Sequence, residues 1–111
     1  MLTQKEKEMN SNLPPKEVNL YIRQLRKMLP ELQKKYPIKY LGVFGSYVRN
    51  EQTPLSDLDV LVEFSESVSL LEYARLELEL SDSLGVRIDL VSKTALKPRI
   101  GKHILAEVEK I

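Results

Sequence analysis

Apolar residues in the first third of the chain recur at alternating spacings of four and three, the pattern of one helix face. This face follows a pair of prolines and comprises Val18, Ile22, Leu25, Leu29 and Leu32. A proline inside a helix clashes with the carbonyl four residues earlier, so we expect a break near Leu29 and a short new helix from Pro30. Residues 1–13 lack periodicity, which predicts a loose N-terminal arm before a single domain over residues 14–111.

Three apolar runs rich in β-forming residues predict strands. The first, Ile38–Phe44, stops at the pair Gly45-Ser46, which is typical of a tight turn. The second is Leu58–Phe64, and the third covers residues 86–91. All three are short enough to be buried strands of one sheet.

Two further helices complete the pattern. Ser69 and Glu72 form a capping-box motif, and Gly85 is placed to end the helix that follows. A last amphipathic helix after Pro98 is predicted to reach the end of the chain, with the face Ile100, Ile104, Val108 and Ile111. The order helix, strand, strand, helix, strand, helix predicts an α/β (α+β) fold, a small mixed β-sheet flanked by helices.

Composition narrows the function. Seventeen basic against sixteen acidic residues give a net charge of +1, far from the basic balance of proteins that bind nucleic acid directly. Zinc is disfavoured because the chain has no cysteine and a single histidine, His103. No apolar run reaches the roughly 20 residues of a membrane span, and the polar N-terminus does not resemble a secretory signal. We therefore expect a cytoplasmic protein with no membrane partner.

Three aspartates can converge if the second and third strands are neighbours. Because strand side chains alternate between faces, Asp57 and Asp59 share the face opposite the apolar core, and Asp89 has the same relation to its own strand. Carboxylates about 4 Å apart repel by roughly 4 kcal/mol at an effective dielectric constant of about 20. Mg²⁺ prefers such oxygen ligands, and two ions can stabilise a phosphoryl-type displacement. A plainer interpretation makes Asp57 a turn residue and pairs Asp89 with Arg87.

The turn after the first strand is suited to phosphate. Glycine lets the backbone approach a ligand closely, and backbone N–H groups with the Ser46 hydroxyl beside them favour an anion, particularly if a helical turn starts there. Arg49 lies one turn onward. Its guanidinium could contact the same phosphates or a nearby carboxylate.

A Gly-Ser pair, ten intervening residues, Asp-x-Asp and a later aspartate together resemble the DNA polymerase β-like nucleotidyltransferase superfamily. The stretch GSYVRNEQTPLSDLDVLVEF carries the match, and the likeness extends from about Val18 to the end of the chain. It is greatest to the minimal nucleotidyltransferases, small stand-alone proteins that act as antitoxins to HEPN-domain ribonuclease toxins. These often have Ala and Gly beside the arginine, where this chain has Val48 and Asn50.

The resemblance implies roles for seven residues. Asp57 and Asp59 would bind Mg²⁺, two ions in all, and Asp89 would complete the metal site and help to activate the acceptor hydroxyl. Gly45 and Ser46 would bind the triphosphate. Two further positions, Arg49 and Ser56, would belong to the nucleotide site.

The activity implied by the resemblance is transfer of AMP from ATP to a hydroxyl, here a tyrosine of a cognate HEPN toxin. Two alternatives stay open: a non-catalytic antitoxin that neutralises the toxin by binding, and a catalytic subunit that modifies a small molecule or RNA. The sequence leaves the oligomeric state open.

Overall fold

The computed structural model describes residues 17–111, so the predicted arm over residues 1–13 lies outside the described part of the chain. Three α-helices, four strands and one 3₁₀ turn follow one another over these residues. In chain order they are α1 Glu17–Lys35, β1 Ile38–Phe44, β2 Leu58–Phe64, α2 Leu70–Leu84, β3 Ile88–Ser92, the turn Lys93–Ala95, α3 Pro98–Glu107 and β4 Glu109–Lys110. Among these helices, none is long and apolar enough to cross a membrane.

The four strands form one mixed sheet in the order β3–β2–β1–β4. β1 runs antiparallel to both β2 and β4, whereas β2 and β3 are parallel. A parallel pair needs a long crossover, and α2 supplies it. The mixed sheet with flanking helices confirms the predicted fold class.

Helices α1 and α2 share a hydrophobic core with one face of the sheet. Its fully buried side chains come from α1, α2 and the two central strands; they include Leu25, Leu32, Val43, Leu58, Val60, Val62, Leu76 and Leu80. The predicted caps of α2 are confirmed. The Ser69 side chain and Glu72 form a reciprocal capping box, and Gly85 ends the helix in the left-handed conformation, with φ 69°.

The predicted break near Leu29 is wrong, because α1 continues through Pro30. Pro30 lies on the exposed side of the helix, while Leu25 and Leu32 on either side of it are fully buried. Burial of both flanking turns against the same core outweighs the one hydrogen bond that proline removes.

Two predicted boundaries near the C-terminus also differ. The third strand begins at Ile88 rather than at residue 86, because the Val86 carbonyl accepts a hydrogen bond from the Ser81 hydroxyl at 2.9 Å. The last helix ends at Glu107, and the chain then turns into β4, which pairs with Gly42 and Val43 of β1. The apolar spacing that predicted a helix to the end of the chain cannot register this long-range strand pairing.

Candidate active site

Strand register brings two of the predicted aspartates together. Asp59 of β2 and Asp89 of β3 are direct partners in the parallel pair, and the two carboxyl groups are close enough to influence each other electrostatically. Both lie on the sheet face opposite the α1–α2 core, as strand alternation requires. Asp57 precedes β2 by one residue and is close enough to act electrostatically on Asp59.

This crowding changes the acidity of Asp59. Burial raises the pKa of its carboxyl to about 6, and the negative charges of Asp89 and Asp57 act in the same direction. The positive charge of Arg49 acts in the opposite direction and lowers the pKa. Ionisation of Asp59 is thus less favourable than that of an ordinary aspartate, so the site gains from any cation that enters it.

Asp57 is held by a neighbouring cation. Arg87 Nε lies 3.0 Å from Asp57 Oδ1, and Arg87 Nη2 donates a hydrogen bond to the Leu55 carbonyl at 2.7 Å. The plainer interpretation paired Arg87 with Asp89, but the structure pairs it with Asp57. Arg87 therefore ties the segment before β2 to the start of β3.

Strand β3 lies at the edge of the sheet, and α2 fixes it there. The Tyr73 hydroxyl donates a hydrogen bond to the Leu90 carbonyl at 2.6 Å, and the Leu90 N–H donates to Glu77 Oε2 at 2.9 Å. These two bonds satisfy backbone groups that an edge strand would otherwise leave open. They also fix the residue next to Asp89.

The backbone at Gly45 brings the turn after β1 against Asp59. Gly45 has φ 84°, a left-handed conformation, and a methyl group on its Cα would collide with the Asp59 carboxylate. Phe44 is the register partner of Asp59 in the antiparallel pair. Only glycine allows this turn to approach the carboxylate so closely.

The segment after Gly45, where the sequence left a helical turn open, forms a series of hydrogen-bonded turns. The N–H groups of Val48 and Arg49 both donate to the Gly45 carbonyl, at 3.1 and 3.2 Å. Asn50 then adopts φ 59°, a conformation that asparagine tolerates better than most residues. The minimal nucleotidyltransferases that the sequence resembles often have glycine here, so Asn50 preserves a backbone shape that glycine adopts freely.

Glu107, at the end of α3, is a site residue that the sequence did not reveal. Its Oε2 accepts a hydrogen bond from the Gly45 N–H at 2.7 Å, and Arg49 Nη1 donates to both carboxylate oxygens at 2.9 and 3.0 Å. Arg49 Nε also donates to Glu51 at 3.0 Å. Of the two predicted partners for Arg49, phosphate or a carboxylate, the structure contains the carboxylate. Nothing in the local sequence marks Glu107, because its role depends on contacts between the end of α3 and the distant turn after β1.

The remaining candidates lie in or near the same turn. Ser46 directly follows Gly45, and its carbonyl accepts the Glu51 N–H at 2.8 Å. The Ser56 hydroxyl accepts the Thr53 N–H at 2.9 Å and so shapes the turn that leads into Asp57. His103, the single histidine of the chain, is exposed on α3.

The acidic pair is compatible with Mg²⁺. Within residues 17–111, no group of three acidic or histidine side chains is spaced closely enough to form a complete metal cage. Mg²⁺ does not need one, because it is held by one or two carboxylates and takes its other ligands from water and substrate phosphates. Asp59 and Asp89 fit that requirement. The three-ligand set that includes Asp57 stays a prediction.

Comparison with known proteins identifies the family. The family model described as "Nucleotidyltransferase domain" matches residues 25–111. The chain belongs to this nucleotidyltransferase family. It is 49% identical over 78 residues to the protein adenylyltransferase MntA of Thermococcus cleftensis, covering 70% of this chain and 79% of that protein. The predicted resemblance is therefore confirmed, and with it the assignment of the chain as a nucleotidyltransferase enzyme.

Solved structures show the same fold. A candidate minimal nucleotidyltransferase superposes with a TM-score of 0.70 at 40% identity, over 81% of this chain and 92% of that one. A Shewanella oneidensis MNT antitoxin complex with a tri-AMPylated HEPN toxin gives a TM-score of 0.61 at 18% identity, over 81% of this chain and 70% of the matched one. At that identity, the second likeness shows the fold alone.

Proposed function

We propose that this nucleotidyltransferase is a magnesium-dependent protein adenylyltransferase, which transfers AMP from ATP to a tyrosine hydroxyl of a partner HEPN toxin and so acts as its antitoxin. The observation that carries the proposal is the contact between the Gly45 turn and the Asp59–Asp89 pair. It places a backbone suited to phosphate beside carboxylates that favour a cation.

In this proposal Asp57, Asp59 and Asp89 hold two magnesium ions together with the triphosphate. The raised pKa of Asp59 supports the assignment, because a carboxylate that resists ionisation in the free protein gains most from a bound cation. When bound, Mg²⁺ neutralises the charge that develops on the attacking and leaving oxygens. Arg87 orients Asp57 through the 3.0 Å ion pair.

The triphosphate is assigned to the turn that follows β1. The backbone of Gly45-Ser46 and the Ser46 hydroxyl would contact the phosphates, and Arg49 would add a charged N–H donor. Ser56 would act from the next turn, immediately before Asp57. Adenine nucleotide is preferred because the relative that is 49% identical is named an adenylyltransferase.

The proposed reaction is a single displacement. The acceptor hydroxyl oxygen attacks the α-phosphorus of ATP, the bond from that phosphorus to the α–β bridging oxygen breaks, and pyrophosphate leaves. Asp89 is assigned the hydroxyl proton, because it faces Asp59 across the strand pair and is itself exposed. The product is a phosphodiester that joins AMP to the acceptor.

A protein acceptor is supported by the relatives and by the shape of the site. The relative MntA is named a protein adenylyltransferase, and a protein of the same fold is an MNT antitoxin bound to an AMPylated HEPN toxin. Asp57 and Asp89 are both exposed. A partner protein could therefore bring a tyrosine to these acids without opening the fold.

Intact-mass spectrometry of the protein encoded by the neighbouring gene tests the proposal. The candidate toxin is incubated with ATP, Mg²⁺ and the wild-type chain, or with the Asp57→Asn/Asp59→Asn double variant as control. We expect mass increments of one or more AMP units with wild type alone. Peptide mapping should place them on tyrosine.

The other outcomes separate the alternatives. A toxin that is bound and silenced equally by the double variant, with no mass change, would overturn the transferase proposal in favour of neutralisation by binding. AMP transfer to RNA or to a small molecule, and none to the toxin, would show that the acceptor is not a protein. Magnesium-independent transfer would refute the metal assignment.

A further inference from the structure

Glu107 joins two groups that the proposed function assigns to phosphate. Its carboxylate accepts the Gly45 N–H at 2.7 Å and the Arg49 Nη1–H at 2.9 and 3.0 Å. The side chain of Glu107 is 26% exposed and that of Arg49 is 47% exposed. The contact is therefore only partly screened by solvent.

The backbone of Glu107 is anchored on both sides. It is the last residue of α3, and the N–H of the next residue, Val108, still donates to the Ile104 carbonyl at 2.9 Å. The Val108 side chain lies so close to Gly42 that a methyl group there would be 2.6 Å from Val108 Cγ2. The following two residues pair with β1. The end of α3 that carries Glu107 is thus held close to the sheet.

The turn that Glu107 contacts has little regular structure of its own. Residues 46–50 form successive turns, and positive φ angles occur at Gly45 and Asn50. Short turns of this kind hold a single geometry only when other parts of the fold fix them. The three hydrogen bonds to Glu107 connect this turn to α3.

The contacts with acids leave part of the Arg49 fork available. Glu107 is bound through Nη1 and Glu51 through Nε, whereas a guanidinium also carries N–H donors on Nη2. The contact of Nη1 with both oxygens of Glu107, the less exposed of the two acids, fixes the plane of the fork and so the direction of Nη2, and fewer degrees of freedom are lost when phosphate binds.

We propose that Glu107 is a positioning residue of the nucleotide site: it holds the Gly45 turn and orients Arg49 towards the triphosphate. This inference rests on the proposed function. It excludes the opposite role, in which Glu107 is an internal anion that occupies the phosphate site and must be displaced. Both roles use the same contacts, but they predict opposite effects on nucleotide affinity.

The test measures the dissociation constant of a non-hydrolysable ATP analogue with Mg²⁺ by calorimetry. Glu107→Ala removes both contacts, whereas Glu107→Asp keeps the charge but shortens the side chain by one methylene. We expect both variants to weaken binding about tenfold, the loss typical of a charged hydrogen bond. KM for ATP should rise in parallel, while kcat at saturating ATP changes far less.

Glu51→Gln is the matched control. It also removes one negative charge beside Arg49, but Glu51 is 65% exposed and its side chain contacts Arg49 Nε rather than Gly45. We expect its dissociation constant to stay within about twofold of wild type, the range of a surface ion pair. Circular dichroism melting of each variant confirms that it is folded at the assay temperature.

Several results would overturn the inference. Tighter binding of the analogue by Glu107→Ala would show that Glu107 occupies the phosphate site and must be displaced. Wild-type affinity in both Glu107 variants would show that Glu107 has no role in nucleotide binding. If neither variant folds, the Glu107 carboxylate of the wild-type chain decides by carbon-13 NMR: a resonance that keeps its hydrogen-bonded shift when the analogue binds supports positioning, and a move to the shift of a free carboxylate contradicts it. A wild-type chain that binds no magnesium–nucleotide would overturn the proposed function itself, and this inference with it.

Discussion

Asp59 and Glu63 project from the same face of β2 but have opposite surroundings. Glu63 lies 3.4 Å from Lys93 Nζ and 3.7 Å from Lys39 Nζ, so its charge is compensated within the fold. Asp59 instead has two aspartates as neighbours and a pKa raised to about 6. The fold neutralises Glu63, which has no proposed ligand, with two lysines. It leaves Asp59, whose counter-charge is proposed to arrive with the substrate, with a net excess of negative neighbours.

The largest expected effect comes from removing the Asp59 carboxylate, with removal of the Glu63 carboxylate on the same face as the comparison. Asp59→Asn should lower AMP transfer by at least about 10²-fold, the scale of losing one preorganised charge contact in an active site. Glu63→Gln should leave transfer essentially unchanged. Initial rates at saturating ATP measure both, and equal losses in the two variants would refute the distinction.

A second comparison uses two glycines with positive φ. Gly45→Ala should destabilise the chain by about 2 kcal/mol or more and abolish nucleotide binding, because a left-handed alanine is strained and its methyl group meets Asp59. Gly85 has φ 69° with no atom within 4 Å of an added methyl group. Gly85→Ala should therefore cost about 1 kcal/mol and leave binding intact. Urea unfolding measures the stability of both variants, and calorimetry measures their nucleotide binding. Intact binding in Gly45→Ala would contradict the site geometry.

A third comparison uses two tyrosine hydroxyls. Tyr73→Phe and Tyr36→Phe each lose one hydrogen bond, to the Leu90 carbonyl at 2.6 Å and to Glu79 at 3.1 Å. Each should reduce the free energy of unfolding by about 1 kcal/mol. We expect only Tyr73→Phe to lower the transfer rate as well, by a few-fold, since it loosens the strand that carries Asp89. Equal transfer rates in the two variants would show that the hydrogen bond from Tyr73 to the edge strand does not contribute to transfer.

The smallest expected effect is on stability as a function of pH. Since the folded pKa of Asp59 is raised above its value of about 3.9 in the unfolded chain, the folded state holds this proton more tightly. The resulting stability is present below pH 4 and is lost as pH rises to about 6; it amounts to no more than about 1 kcal/mol for a half-buried group. Wild-type melting curves across this window should show the loss, and Asp59→Asn should not. A loss of stability of the same size in Asp59→Asn would show that other groups cause the pH dependence.

The parts of the fold that local sequence determines could be predicted from the sequence. The bounds predicted for β1 and β2 agree with the structure, since each is a segment rich in β-forming residues that ends in turn-forming or polar residues. The caps of α2 were predictable because Ser69, Glu72 and Gly85 act on their own helix. The convergence of Asp59 and Asp89 required the second and third predicted strands to be neighbours; the structure pairs them, and their register places the two aspartates opposite each other.

The parts that depend on distant contacts could not be predicted in this way. Pro30 stays within α1 because of packing on both sides, and β4 exists because residues 109–110 find β1 across the sheet. The contacts of Glu107 with Gly45 and Arg49 span 62 and 58 residues. No local spacing encodes such contacts, so the sequence predicted the carboxylates and the glycine turn but not the side chain that links the turn to α3.

The most direct test of the account is the fate of each phosphate of ATP. Parallel reactions contain the candidate toxin, the chain, Mg²⁺ and ATP labelled at either the α- or the γ-phosphate, with Asp59→Asn as control. The account predicts that label from the α-phosphate alone reaches the toxin, and only with the wild-type chain. Labelling from the γ-phosphate, or undiminished α-labelling by Asp59→Asn, would contradict it.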